Sequence, residues 1–280
     1  MTTSKLVTTP QLMTKAQYMN RTFFYICVCA SCAPLVLLVI LTTGAYWPYP
    51  ALLPKVFSLE YFRYVFLNNI QTLKAVITSI LLAVFVTLLT LIIAIPAAKS
   101  LALYNFRGKG LVKLLVLAPL VVPAVSVTTG IQISMIKLGL TGSFAGVTLI
   151  QSVFTLPYAI RIMANVFEIT GDKYEKQAAV LGANAAFTFF RVTLPVIMPG
   201  ILSAAAICFT VSISQYITTF LIGGGRIITV TILLIPFIQS GQVQVMSVYS
   251  VMLVAAALLS LFFIEKTVRR FYNLETVVFV

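Results

Sequence analysis

The chain has 280 residues, of which 60% are hydrophobic and 9% charged, against roughly 45–50% and about 25% in soluble domains, so an ordinary water-soluble fold is excluded. Its 19 Lys and Arg against 6 Asp and Glu give a formal charge of +13; in a polytopic membrane protein such an excess collects in cytoplasmic loops and needs no nucleic acid to explain it. The absence of histidine removes the commonest general base, the Ser-His-Asp arrangement and most zinc sites, so no catalytic residue, metal or cofactor is expected.

In chain order, a polar tail over residues 1–21 precedes an apolar run from Thr22 to about Trp47. That run is too long for a signal-peptide core of about 7–15 residues and is expected to stay as the first span. Further apolar runs over 71–98, 112–136, 147–167, 196–221 and 245–265 each approach or exceed the ~20 residues that cross a bilayer core of about 30 Å, and none alternates like a barrel strand. The expected fold is an all-α membrane protein with six transmembrane helices over 22–265 and a second cytoplasmic tail at 266–280. Cys27, Cys29, Cys32 and Cys208 all fall inside apolar runs and read as buried thiols that pack like small hydrophobes.

Several details qualify these spans. Pro34, Pro96, Pro119, Pro123, Pro157, Pro199 and Pro236 lie within or beside them, where kinks can leave a cavity between helices. Gly142 and Gly146 spell G-x-x-x-G across a loop and read as a tight turn, and Ser134 with Lys137 spells S-x-x-K without the companion motifs of a serine nucleophile. Arg161 is placed near the inner interface, within reach of it by snorkelling. The stretch 221–244, with Gly223-Gly224-Gly225, Arg226, Pro236 and Gly241, reads as a helix break followed by a re-entrant or interfacial segment. Among polar residues within spans, Ser212, Ser214 and Gln215 cluster after the longest charged loop and are the first candidates for a translocation path.

With the N terminus inside, fourteen of the nineteen basic residues fall in inner segments, and Lys55, Arg63, Lys74, Lys137 and Arg226 in outer ones. This asymmetry places both termini in the cytoplasm.

Between the fourth and fifth spans lies the most charged internal segment, Glu168 to Gly200, with Glu168, Asp172 and Glu175. If Tyr174–Ala186 is helical, Glu175, Ala178, Ala179 and Gly182 follow i, i+3, i+4, i+7 spacing and share a thin face open to close approach. Phe187, Phe189 and Phe190 would anchor the segment, and Leu194-Pro195 would break the helix before the next span.

The segment resembles the cytoplasmic EAA loop of permease subunits of type I ATP-binding-cassette importers. Gly182, Val192, Leu194 and Pro195 occupy the Gly, aliphatic and Leu-Pro slots, and Ala178 the second Ala slot. Lys176 and Gln177 stand where the Glu and first Ala would be, with Glu175 one place early. The resemblance implies a coupling helix at Glu175, Lys176, Gln177, Ala178, Ala179 and Gly182, closed by Leu194 and Pro195 within a loop over 168–195, that docks on a cytoplasmic ATPase dimer. It also implies a bacterial inner-membrane location, a second permease subunit, an extracytoplasmic binding protein and surrounding membrane lipid. SQYITTFLIGGG looks most like the branch serving polyamines, iron(III) and thiamine. No G-x-x-x-x-G-K-[ST] occurs in the chain, so ATP hydrolysis falls to another chain. The alternative of an ion-gradient-driven transporter wants intramembrane carboxylates, and Glu265 is the only acid near a span.

Reporter fusions after Gly110, Gly182 and Phe271 should therefore report cytoplasm, and fusions after Leu53 and Gly142 the outside. The reverse pattern would invert the assigned orientation.

Overall fold

A computed structural model of the chain describes residues 15–47, 54–67 and 70–271. Of the predicted tails at 1–21 and 266–280, residues 1–14 and 272–280 lie outside the described residues, and 15–21 and 266–271 are helical. The described residues are helical apart from a short ribbon and the turns that join the helices. Helix α1 (Lys15–Thr43) leads into β1 (Gly44–Tyr46), which pairs antiparallel with β2 (Val56–Phe57). There follow α2 (Glu60–Leu67), α3 (Ile70–Leu103), α4 (Lys109–Val121), α5 (Ala124–Lys137) and α6 (Phe144–Thr170). The charged loop holds α7 (Lys173–Val180) and α8 (Ala185–Thr188), and α9 (Leu194–Ser214), α10 (Ile217–Gly223), α11 (Val230–Gln239) and α12 (Val243–Phe271) complete the chain.

Five stretches are long and apolar enough to cross a membrane: 23–43, 70–103, 144–170, 185–214 and 243–267. The sixth, predicted as one span over 112–136, is instead the pair α4 and α5, bent by 104°. Pro123 cannot donate a backbone hydrogen bond, and its ring drives the preceding residue out of helical space. Val122 accordingly sits extended at φ −83°, ψ 131°. Pro96, Pro157 and Pro199, by contrast, lie inside continuous helices. The predicted fifth span is also shortened: α9 stops at Ser214, Gln215 turns extended at ψ 107°, and α10 restarts two residues later. Gly224 and Gly225, at φ 54° and 73°, reverse the chain before α11. Neither α10 nor α11 is long enough to span, in keeping with the break expected over 221–244.

Helix α3 is the central pillar. Its C-terminal half packs Leu91, Ala94, Ala98 and Leu101 against Ala159, Met163 and Phe167 of α6 and Ile197, Ala204 and Cys208 of α9. Its middle, at Leu82 and Val86, meets Val147, Ile150 and Phe154 of α6 and Ile222 of α10. Its N-terminal end, at Ala75, joins Val65 of α2, Val230 of α11 and Val245, Val248 and Tyr249 of α12. The alanines let backbones approach closely, which is the main source of helix association where lipid is as apolar as the side chains. Gly142 lies in the turn before α6 and Ser143 caps that helix through Gly146 N–H at 3.0 Å, so G-x-x-x-G here is a turn and cap. Cys208 is buried, but Cys27, Cys29 and Cys32 are exposed on α1, correcting the expectation that all four thiols pack internally: α1 lies on the bundle's edge, along α12 and α2.

A tight helix crossing lies at Gly200 of α9, where an added Cβ would lie 2.5 Å from Val166 Cγ2 of α6. Gly200→Ala should therefore destabilise the bundle by roughly 1–3 kcal/mol, measured by unfolding in detergent. Val166→Ala in the same chain should recover most of the loss, because the new methyl then occupies the vacated space.

Candidate functional site

The charged loop folds onto the C-terminal end of the pillar through one carboxylate. Glu175 Oε2 accepts from Lys99 Nζ of α3 at 2.6 Å, and its Oε1 accepts from Thr193 Oγ1 at 2.7 Å. Both members of the ion pair are about three-quarters buried, with 28% and 23% of their side chains exposed. Ala178, one turn on, is 8% exposed. The face that periodicity assigned to Glu175 and Ala178 thus exists, but it points toward the bundle. Lys176, Gln177 and Ala179 point outward. Lys176 closes a second pair with Asp172 at 2.8 Å; this hydrogen bond holds the Asp172 carboxyl below its ordinary range and the Lys176 ammonium above its own. That pair lies in solvent and does little to fix the loop.

Gly182 does not belong to the helix at all, which corrects the predicted helix over Tyr174–Ala186. Its φ is +82°. Gly182 N–H donates to Ala179 O and Ala183 N–H to Ala178 O, both at 3.0 Å, the paired bonds of a glycine-terminated helix. Asn184 then caps α8 by accepting from Phe187 N–H at 2.8 Å. Nothing lies within 4 Å of a Cβ built at Gly182, so the position is set by backbone conformation rather than by a tight approach. Just before it, Val180 and Leu181 are 87% and 86% exposed and form the apolar tip of the loop.

The expected break at Leu194-Pro195 is also absent. A π-helical turn over Phe189–Thr193 runs directly into α9, with Leu194 N–H reaching back to Phe189 O. Pro195 follows directly on the π turn, so its missing donor falls where the hydrogen-bond register already shifts. Of the predicted anchors, Phe189 is partly buried and stacks edge-on with Phe190 at 5.2 Å. Phe187 and Phe190 are exposed, so Glu175 does the anchoring.

At mid-bundle the structure joins two of the three predicted path residues and separates the third. Ser212 Oγ donates to Gln151 Oε1 at 2.5 Å, and Gln151 Nε2 donates to Thr219 Oγ1 at 2.8 Å. Gln215 enters the same network: its carbonyl accepts from Thr219 Oγ1 at 3.0 Å and its side chain from Thr218 Oγ1 at 3.1 Å. Ser214 is exposed and donates to Val211 O at 2.9 Å. Gln151 is wholly buried, so this cluster is a closed clamp across the α9–α10 break rather than a wet channel. Thr218, Thr219 and Thr231, whose Oγ1 donates to Gln215 O at 3.4 Å, were missed by sequence reading, although ITTF and TVT could have marked them as hydroxyls bordering a break. Arg161 lies nine residues before the end of α6, about 13 Å along the helix. It lines a cavity of about 320 Å³ with Lys113 and Glu168.

A bundle of apolar spans with a folded charged loop pinned to one end defines a multi-pass membrane protein. The chain belongs to the family described as binding-protein-dependent transport system inner membrane component, whose sequence profile matches residues 90–271. It is 30% identical over 164 residues to the molybdenum transport system permease protein ModB of Mycobacterium tuberculosis, covering 54% of this chain and 62% of that protein. It is 24% identical over 220 residues to the sulfate transport system permease protein CysT of Escherichia coli, covering 73% and 79%. The chain spans about three-fifths of the length of the mycobacterial molybdenum permeases it matches. A bacterial ABC transporter involved in the import of the acidic polysaccharide alginate shares the fold at a TM-score of 0.71 and 16% identity, covering 94% of this chain and 100% of that one. These relatives' names specify no polyamine, iron(III) or thiamine, so the branch expected from SQYITTFLIGGG finds no support in them.

Lys99→Met, Glu175→Gln and Thr193→Val should each loosen the loop by about 1 kcal/mol, toward the upper end for partly exposed pairs. Combined, they should cost far less than their sum, because one carboxylate serves both partners. Limited proteolysis of the 172–188 segment in detergent measures the loosening.

Proposed function

We propose that the chain is the inner-membrane permease subunit of an ATP-driven importer, forming half of a translocation path. A cytoplasmic ATPase dimer, a second permease, identical or homologous, and an extracytoplasmic binding protein complete the assembly. What carries the reading is the loop over 168–195: Glu175 ties it to α3 and α9, while Val180 and Leu181 stand out from it, bare of protein contact on most of their surface. Two large apolar side chains at the tip of a folded, water-exposed loop suit a cleft on a soluble partner. Closure of the ATPase pair would push on this tip, and the Glu175 links would pass the movement to the bundle as a rigid-body shift. Both termini then face the cytoplasm, and Lys176, Gln177 and Ala179 form the outward rim of the contact. Ser214, exposed beside the α9–α10 break, is the predicted path residue left available to solute; Ser212 and Gln215 support it from within.

The docking role moves the decisive substitution from Gly182, where any other side chain strains the backbone by about 1 kcal/mol, to Val180 and Leu181. Replacing both with Asp should leave yield and unfolding of the chain unchanged. Recovery of a co-expressed ATPase on the tagged permease should fall at least about tenfold, the loss of two buried apolar contacts, and uptake should fall with it. Normal recovery and uptake would mean that the loop is only a linker.

A further inference from the structure

At the opposite end of α3 from the loop, a half-open cavity of about 480 Å³ is lined by Lys74 and Arg226, with Gln71 and Thr78 as further polar groups and Phe144 and Ile227 among its apolar walls. We propose that this cavity is an anion site that takes an oxyanion group of the sulfate or phosphate type. The proposal rests on the importer reading for its place on the outer, solute-receiving side, and deepens that reading by naming a ligand chemistry.

Three observations carry it. The cavity holds two cations and no carboxylate, and neither Lys74 nor Arg226 has an ion-pair or hydrogen-bonding partner for its side chain among the described residues. Only five of the nineteen basic residues fall in predicted outer segments, where the orientation bias disfavours them, yet two of those five converge here. Third, the arginine is held in place by the backbone beneath it. Gly142 N–H donates to Ile222 O at 2.7 Å and Arg226 N–H to Gly223 O at 2.9 Å, locking two turns together. Gly142, at φ +74°, leaves room for the arginine stem, since a Cβ there would lie 3.0 Å from Arg226 Cδ.

The chemistry then favours an anion on both charge and shape. Apolar walls lower the local dielectric and strengthen attraction to the two cations. A guanidinium offers paired donors that match two oxygens of a tetrahedral oxyanion, while the lysine supplies a mobile point charge. A cationic solute would find no counter-charge here. Among the described acidic residues Glu60 alone lies in a predicted outer segment, and it does not line the cavity. The oxyanion could arrive as a free ion or as the headgroup of an acidic lipid, and the test separates these sources.

The full chain would be reconstituted in nanodiscs of phosphatidylcholine, and its unfolding midpoint compared in sodium sulfate and in sodium chloride at equal ionic strength. In a second arm phosphatidylglycerol replaces phosphatidylcholine without sulfate. The wild type should gain about 2–4 °C in one arm, and Lys74→Gln with Arg226→Gln should abolish that gain. Lys74→Arg should retain it. General salting effects of sulfate act on wild type and variant alike, so their difference is the reading. If the double variant does not fold, Arg226→Gln alone, on an exposed turn, gives the same comparison. A gain with sulfate assigns a free oxyanion, and a gain with phosphatidylglycerol alone assigns a lipid headgroup. No gain in either arm, or an equal gain in the variant, overturns the site. Loss of the site with ATPase recovery intact leaves the importer reading standing, and anion binding without ATPase recovery does the reverse.

Discussion

Within hydrocarbon, a broken helix exposes N–H and C=O groups that water cannot reach, and each costs several kcal/mol unless the protein satisfies it. The break between α9 and α10 meets this constraint with a threonine hydroxyl, which donates to the freed carbonyl and is itself held by one buried amide. Gln151 of α6 accepts from Ser212 on one side of the break and donates to Thr219 on the other, while Thr219 returns to the carbonyl of Gln215 at the break itself. Much of the outer half of the bundle depends on that closure. With α10 fixed, Ile222 fills the contact between α3 and α6, the glycine turn is aligned against Gly142, and α11 is delivered to α3 and α12. A second anchor repeats the logic nearby, where Ser79 of α3 accepts from Val230 N–H at the start of α11, at 2.9 Å.

The inner half uses charge where the outer half uses amides and hydroxyls. Lys99 and Glu175 are partly exposed, so the pair is screened and its strength comes from sharing: one carboxylate is held by a cation on the pillar and by a hydroxyl in the π-helical turn. The π turn earns notice for this reason. It adds one residue to the helical register just ahead of α9 and carries Thr193 within reach of Glu175; such turns often mark functional positions. The same segment therefore fixes the loop to α3 and continues without interruption into a span, so the loop cannot shift independently of both helices.

Hydropathy is a local property, and this is why five of the spans and the loop between the fourth and fifth were legible in the sequence. Seven prolines were equally visible, but not which of them would bend the chain. Each removes the same donor. Only at Val122-Pro123 does the preceding residue leave helical space, and that outcome is set by packing around α4 and α5. Periodicity correctly placed Glu175 and Ala178 on one face, yet the direction of that face was decided by Lys99, 76 residues away. Gly182 was read as a small residue for close packing when its positive φ is what the chain requires. A glycine followed by Asn184, a good helix cap, was the available signal. The polar residues within spans announced that partners would be found, but whether they lined a path or closed a clamp depended on burial, which no spacing encodes.

Lys74 and Lys99 lie 25 residues apart on the same helix, α3, about 38 Å along its axis at 1.5 Å per residue. One end of the pillar thus carries the ammonium of the outer cavity, and the other carries the ammonium that grips the loop. Between them α3 is packed on α6 for most of its length and crosses α9 with alanines that leave little slack. A tilt imposed at Lys99 must then appear at Lys74, since a close-packed helix pair moves as a body more readily than it deforms. Arg226 sits on a turn fastened to the start of α6 rather than to α3. The two cations therefore travel together with the packed pair, and in the proposed importer the loop and the cavity are joined mechanically through one continuous helix.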